Sequence, residues 1–181
     1  MNRVQVFGLL VLAAIGAANA GDAGAEEVTS QSELVQRNRI ALTLEGAELV
    51  LQEAQAKARS IGKNVNISIV DDGGHPVLFA RMNGARPASS YTAQTKAVAA
   101  ATLRMPTGPF KSPSGEVDAL LNFSLQSAAA SGGGRMTSLF GGVPIVVDGQ
   151  VIGAVGVGGA TGPEDAEIAR AGIDALLAKL K

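Results

Sequence analysis

Asp148-Gly149 separates two apolar runs, Val143–Val147 and Val151–Val157, and this arrangement limits what the chain can fold into more than any other feature. The two central residues of a tight antiparallel turn both need positive φ, which Asp followed by Gly adopts at little cost. A hairpin is therefore predicted. Its second strand runs into a glycine-rich link and then a helix opened by Thr161 and Glu164, the spacing of a capping box. The glycines from Gly153 to Gly162 contain neither a Gly-x-Gly-x-x-Gly pattern nor a phosphate-loop lysine. Glu164 and Asp165 would also repel a phosphate at that helix start. The stretch reads as a strand meeting a helix in cramped space.

A second hairpin is predicted upstream. Val65, Ile67 and Ile69 alternate with Asn66 and Ser68, the period of a strand buried on one face. Asp71-Asp72-Gly73-Gly74 is turn chemistry, and Val77, Phe79 and Arg81 share a face of the returning strand. Helices surround the hairpins. Thr43 caps one that presents Ala47, Leu51, Ala54, Ala58 and Ile61 on one face and stops at Gly62. An alanine-rich helix near 91–104 permits close approach of a sheet or another subunit. A third spans 116–130, with Val117, Leu121, Leu125 and Ala128 on one face, and the last buries Ala169, Ile173, Leu176 and Leu180. Two hairpins with helices before, between and after them define an α+β class, an antiparallel sheet covered by helices.

Residues 1–20 read as a secretory signal peptide: Arg3, the uncharged run Val6–Ala18, and the small-x-small exit Ala18-Asn19-Ala20. The run is short for a membrane span, so a periplasmic or secreted protein is expected. Residues 21–41 form an N-terminal arm and 42–181 the single domain. The chain contains no cysteine, which excludes thiolate nucleophiles, iron–sulfur clusters and thiolate zinc sites. Its net charge of −1, with no basic stripe and few aromatics, argues against nucleic acid as a partner. No later apolar run is long enough for a membrane span.

One histidine must serve any imidazole chemistry, and no Gly-x-Ser-x-Gly elbow accompanies it. Serine triads and multi-histidine zinc sites are thereby disfavoured. Asp71 and Asp72 have a turn role, with metal or acid–base work as the alternative. His75 stands at the mouth of the first hairpin, where an imidazole either serves the turn or ligates haem iron. Met82, Met105, Met136 and Tyr91 are the other conceivable axial groups, or packing residues. Arg81, Arg86 and Lys96 either pair with haem propionates or form a solvated basic face.

Across Leu42–Leu180 the chain resembles the GlcG/HbpS haem-binding family, also called the haem-degrading domain. The resemblance rests on Leu42-Thr43-Leu44 with Ala47, Ile69-Val70-Asp71, Gly73-Gly74-His75, Phe79-Ala80-Arg81-Met82 with Gly84-Ala85, and Lys96-Ala97. Its clearest marker is Gly141-Gly142-Val143-Pro144-Ile145, followed by Gly149, Ile152-Gly153 and Gly156-Val157. Asn83 and Gly158 depart from it, standing where aspartate and serine are common. The resemblance implies a profilin-like antiparallel sheet flanked by helices on both sides, assembled into homo-oligomers. It implies haem as cofactor, for a carrier, scavenger or sensor partner, with His75 as the iron ligand and Arg81 and Lys96 lining the same cleft. A non-haem accessory or small-molecule binding module of organic-acid or corrinoid metabolism is the alternative, and haem degradation follows from the resemblance alone.

Overall fold

In the computed structural model the residues described are 38–181, so the expected signal peptide and nearly all of the N-terminal arm lie outside them. The elements are α1 (Leu44–Ser60), β1 (Asn66–Asp71), β2 (Pro76–Arg81), α2 (Ser89–Leu103), α3 (Ala119–Ser131), β3 (Gly142–Val147), β4 (Gln150–Gly158) and α4 (Gly162–Lys179). Both hairpins form. They pair edge to edge into one antiparallel sheet of order β2-β1-β4-β3. Asp148 and Gly149 turn with φ of 48° and 75°, as the tight turn requires. Pro144 sits on an edge strand, where its missing N–H leaves no ladder bond unmade.

Helices α1 and α4 cover one face and α2 the other, so the α+β sandwich is as expected. One expectation needs correction: β1 is buried on both faces, not one. Ile67 and Ile69 enter the core beneath α1 and α4, while Asn66, Ser68 and Val70 lie under α2. Alternating polarity therefore marks here two covered layers of different chemistry, not a core face and a wet face. Asn66 donates from its amide nitrogen to the carbonyls of Arg86 and Gly158, while its Oδ1 is buried without a partner.

The Thr43 hydroxyl accepts from the Gly46 N–H at 3.1 Å, starting α1 as predicted. Gly62, with φ of 66°, ends it in a Schellman closure: its N–H donates to Arg59 and that of Lys63 to Ala58. The buried stripe runs through Val50 instead of Leu51, which is only partly covered, as is Ile61. In α4 the stripe is Ala166, Ile168, Ala169, Gly172, Ile173 and Leu176, whereas Leu180 is 59% exposed beyond the sheet's reach.

Helix α3 departs most from expectation. It begins at Ala119, capped by Asp118, whose carboxylate accepts from the Leu121 N–H at 2.8 Å. Leu121, Ala128 and Val117 are exposed, and Asn122 is its one buried residue. Asn122 exchanges bonds with the backbone of Phe110, accepting at 3.0 Å and donating at 2.9 Å. The helix is thus tied to the preceding loop by an amide. Its apolar periodicity identifies an apolar face but not what covers it.

The alanines of α2 meet the sheet, resolving the choice left open by the sequence. Gly142 pairs across the ladder with Gly156, and Gly158 follows on the same face. A Cβ at these positions would run into the carbonyls of Lys96, Ala93 and Ser89 respectively. The helix lies on bare backbone, which explains the glycines without invoking a nucleotide.

Candidate functional site

His75 immediately precedes β2, and its turn is organised by one side chain. The Asp71 carboxylate accepts from the N–H groups of Gly73 at 2.9 Å and His75 at 2.8 Å. The same carboxylate meets Nδ1 of His75 at 3.1 Å. A carboxylate only accepts, so Nδ1 is the donor to Asp71 and Nε2 is the ring nitrogen left for another partner. Burial raises the Asp71 carboxyl, but the bonds from His75 and Gly73 outweigh it and hold the group below its ordinary value. The His75 side chain is 80% exposed. An anchored ring with a free, outward Nε2 is the arrangement seen where a carboxylate orients a metal-binding imidazole. Asp71 does the work of a turn residue and of an orienting residue at once. Its spacing of four before His75, across two glycines, was the sequence signal for the second role.

The other expected site residues lie elsewhere. Arg81 is at the opposite end of β2, across from Asn66, and lines a cleft with Gln55, Arg59, Asn64, Met82 and Asn83. Lys96 is buried, its side chain 5% exposed. Its Nζ donates to Oδ2 of Asp165 at 2.7 Å and to the Val157 carbonyl at 2.8 Å. It therefore forms no part of a solvated basic face. Within one chain His75, Arg81 and Lys96 do not converge. Of the other conceivable iron ligands, Met82 packs against the core, Met105 lines a cleft with Phe110 and Phe140, Met136 is half-buried, and Tyr91 is exposed.

The Lys96–Asp165 pair borders a cleft of about 520 Å³ between α2, the segment before β3 and the start of α4. Arg86 stands on its rim, with Nε donating to the Ser89 hydroxyl at 2.9 Å. Leu139, Phe140, Pro109 and Pro163 supply apolar wall. Asp165 is the buried counter-ion of Lys96 and also accepts from the Ala160 N–H at 3.1 Å. Burial pushes its carboxyl up, against the opposing pull of Lys96. Glu164 keeps the expected capping role. It accepts from the Thr161 N–H and hydroxyl and pairs with Lys63 at 3.2 Å, which together hold its carboxyl at about 2. The sequence offered Arg86 only as a partner for haem propionates or part of a basic face, and gave Asp165 no place in a cleft, because the cleft assembles segments far apart in the chain.

The four-stranded antiparallel sheet lies between helices, with an anchored histidine beside its first hairpin, and defines an α+β class of protein. The family model for the haem-degrading protein HbpS matches residues 42–174, and the chain belongs to this HbpS-like family. It is 38% identical over 121 residues to Protein GlcG of Escherichia coli K12, spanning 67% of this chain and 84% of that protein. Among solved structures it is similar to Klebsiella pneumoniae protein ORFY, with a TM-score of 0.67, 29% identity and coverage of 80% of this chain and 97% of that one. It is also similar to PduOC in a haem complex, with a TM-score of 0.63, 27% identity and coverage of 75% and 95%. Among the described residues no helix is long and apolar enough to cross a membrane.

Proposed function

We propose that this is an exported haem-binding protein, acting as carrier, scavenger or sensor partner, in which Nε2 of His75 is the axial ligand. The observation that carries the reading is the Asp71–His75 contact, which holds Nδ1 and leaves Nε2 of an exposed ring open to a ligand. The donor set fits haem iron, and iron held there supplies a ligand-binding or redox-active centre. Support comes from the HbpS-like family and from the likeness to a protein solved with haem. The exposure of His75 favours a haem held between two copies of the chain, each offering one imidazole, over one enclosed by a single copy. The apolar residues Leu120, Leu121 and Phe123 on α3 are available for such assembly.

A haemin titration of the mature protein beside His75→Ala tests it. Saturable binding with a Soret shift is expected, and its loss in the variant; an unchanged spectrum in the variant rejects the assignment. Asp71→Asn is a second, graded test. It removes the anion facing Nδ1 but keeps an acceptor for the turn, and affinity for haemin should fall about tenfold or more. Equal affinity in Asp71→Asn would show that the carboxylate serves the turn alone.

A further inference from the structure

We propose that the cleft bordered by Arg86 and Lys96 binds the carboxylate of a small monocarboxylic acid. The inference does not rest on the haem reading, since His75 lines no part of this cleft.

Charge accounting points to one negative charge. Lys96 and Asp165 neutralise each other at 2.7 Å, and Glu164 is turned to Thr161 and Lys63. The charge left over is Arg86. Its Nε is held by the Ser89 hydroxyl, while among the described residues no carboxylate pairs with its terminal nitrogens. A guanidinium fixed in this way presents its remaining N–H groups as a planar fork suited to a carboxylate.

Lys96 adds a second donor. An ammonium has three N–H groups, and two are used, on Val157 and Asp165. The third has no acceptor among the described residues, in a side chain that is 95% buried and lines the cleft. A buried charged donor left without a partner is costly, and a ligand oxygen would satisfy it.

The rest of the cleft sets the ligand's body and charge. A volume of about 520 Å³ is in the range of small-molecule sites. Leu139, Phe140, Pro109 and Pro163 offer apolar contact and no further cation. Among the described residues that line the cleft, Arg86 is the one cation without a carboxylate partner, which matches the single charge of a monocarboxylate better than the two of a phosphate or a dicarboxylate. What remains is one carboxylate on a compact, largely apolar body. A haem propionate carries the same group, so the test must separate the two sources.

Calorimetric titration of the mature protein with benzoate and with pyruvate, each beside its uncharged analogue (benzamide, methyl pyruvate), makes that separation. At least one acid should saturate a single site per chain while the uncharged analogues do not. Arg86→Gln, a change at an exposed residue, should weaken that acid about tenfold or more, with Arg86→Lys between the two. His75→Ala should bind it like the parent. Failure of both acids to bind, or equal binding by Arg86→Gln, overturns the proposal. So does loss of haemin binding in Arg86→Gln without binding of either acid, which would assign the guanidinium to a propionate. Loss of haemin binding in His75→Ala with acid binding intact is the expected pattern if both sites exist. Retention of haemin binding in that variant would sink the haem reading alone.

Discussion

Lys96→Met should destabilise the fold by about 3–5 kcal/mol at neutral pH, the usual cost of leaving a buried ion without its partner. The packing lost is small, because methionine replaces most of the lysine stem. The penalty comes from Asp165, which keeps the Ala160 N–H but loses Lys96. Burial already raises the Asp165 carboxyl, and removing the ammonium leaves that effect less opposed. The folded variant will then hold a proton at a pH where the unfolded carboxyl, with its ordinary value of 3.8, has released it. For an acid raised on folding, the deficit is absent below the unfolded value, grows as pH rises above it, and levels off once the folded group ionises. Urea unfolding of variant and parent should therefore show a gap that is small near pH 4 and large at pH 7. The double variant Lys96→Met/Asp165→Asn, which keeps an acceptor for Ala160 without a charge, should regain most of the loss. A pH-independent gap below about 1 kcal/mol would mean that water, not Lys96, balances Asp165.

Gly156→Ala is the second large effect, expected to cost at least about 3 kcal/mol through contact alone. Gly156 has no positive φ, so alanine meets no backbone strain there. Its Cβ would instead strike the Ala93 carbonyl and the Ala97 N–H, and lie 2.9 Å from the Ala97 Cβ. These are atoms of a helix backbone, which cannot step aside as a side-chain tip can. Relief requires α2 to lift from β4, opening the layer that also holds Val70, Ala100 and Ala154. Thermal unfolding compared with the parent measures this directly. A loss under about 1 kcal/mol would show that α2 is free to shift. The departure at Gly158 belongs to the same contact, because a serine Cβ there would sit 2.6 Å from the Ser89 carbonyl. In this chain α2 lies too close to β4 for a side chain.

The legible parts of the fold were those whose cause is local. Thr43, Gly62 and the Thr161–Glu164 pair bound their helices because caps act within four residues. Asp148-Gly149 placed the second hairpin for the same reason. Periodicity was less faithful where a partner element was unknown. It chose Leu51 over Val50 and gave α3 an apolar face on which Leu121 is exposed and Leu125 half-buried, because an apolar stripe does not reveal its cover. His75 could be singled out from sequence as the lone imidazole at a turn, but not the orientation that Asp71 imposes.

The amino-acid sequence by itself determined the elements, the two turns, the α+β class and the family, since each depends on residues within a few positions of one another or on their order along the chain. The tertiary structure alone decided that β1 is covered on both faces and that α2 rests on glycines of two strands. It also decided that His75, Arg81 and Lys96 stand apart, and that Lys96 meets Asp165 across 69 positions of sequence. The physical reason is common to all of these. Burial and ion pairing depend on which surfaces come to share space, and local propensity carries no information about that.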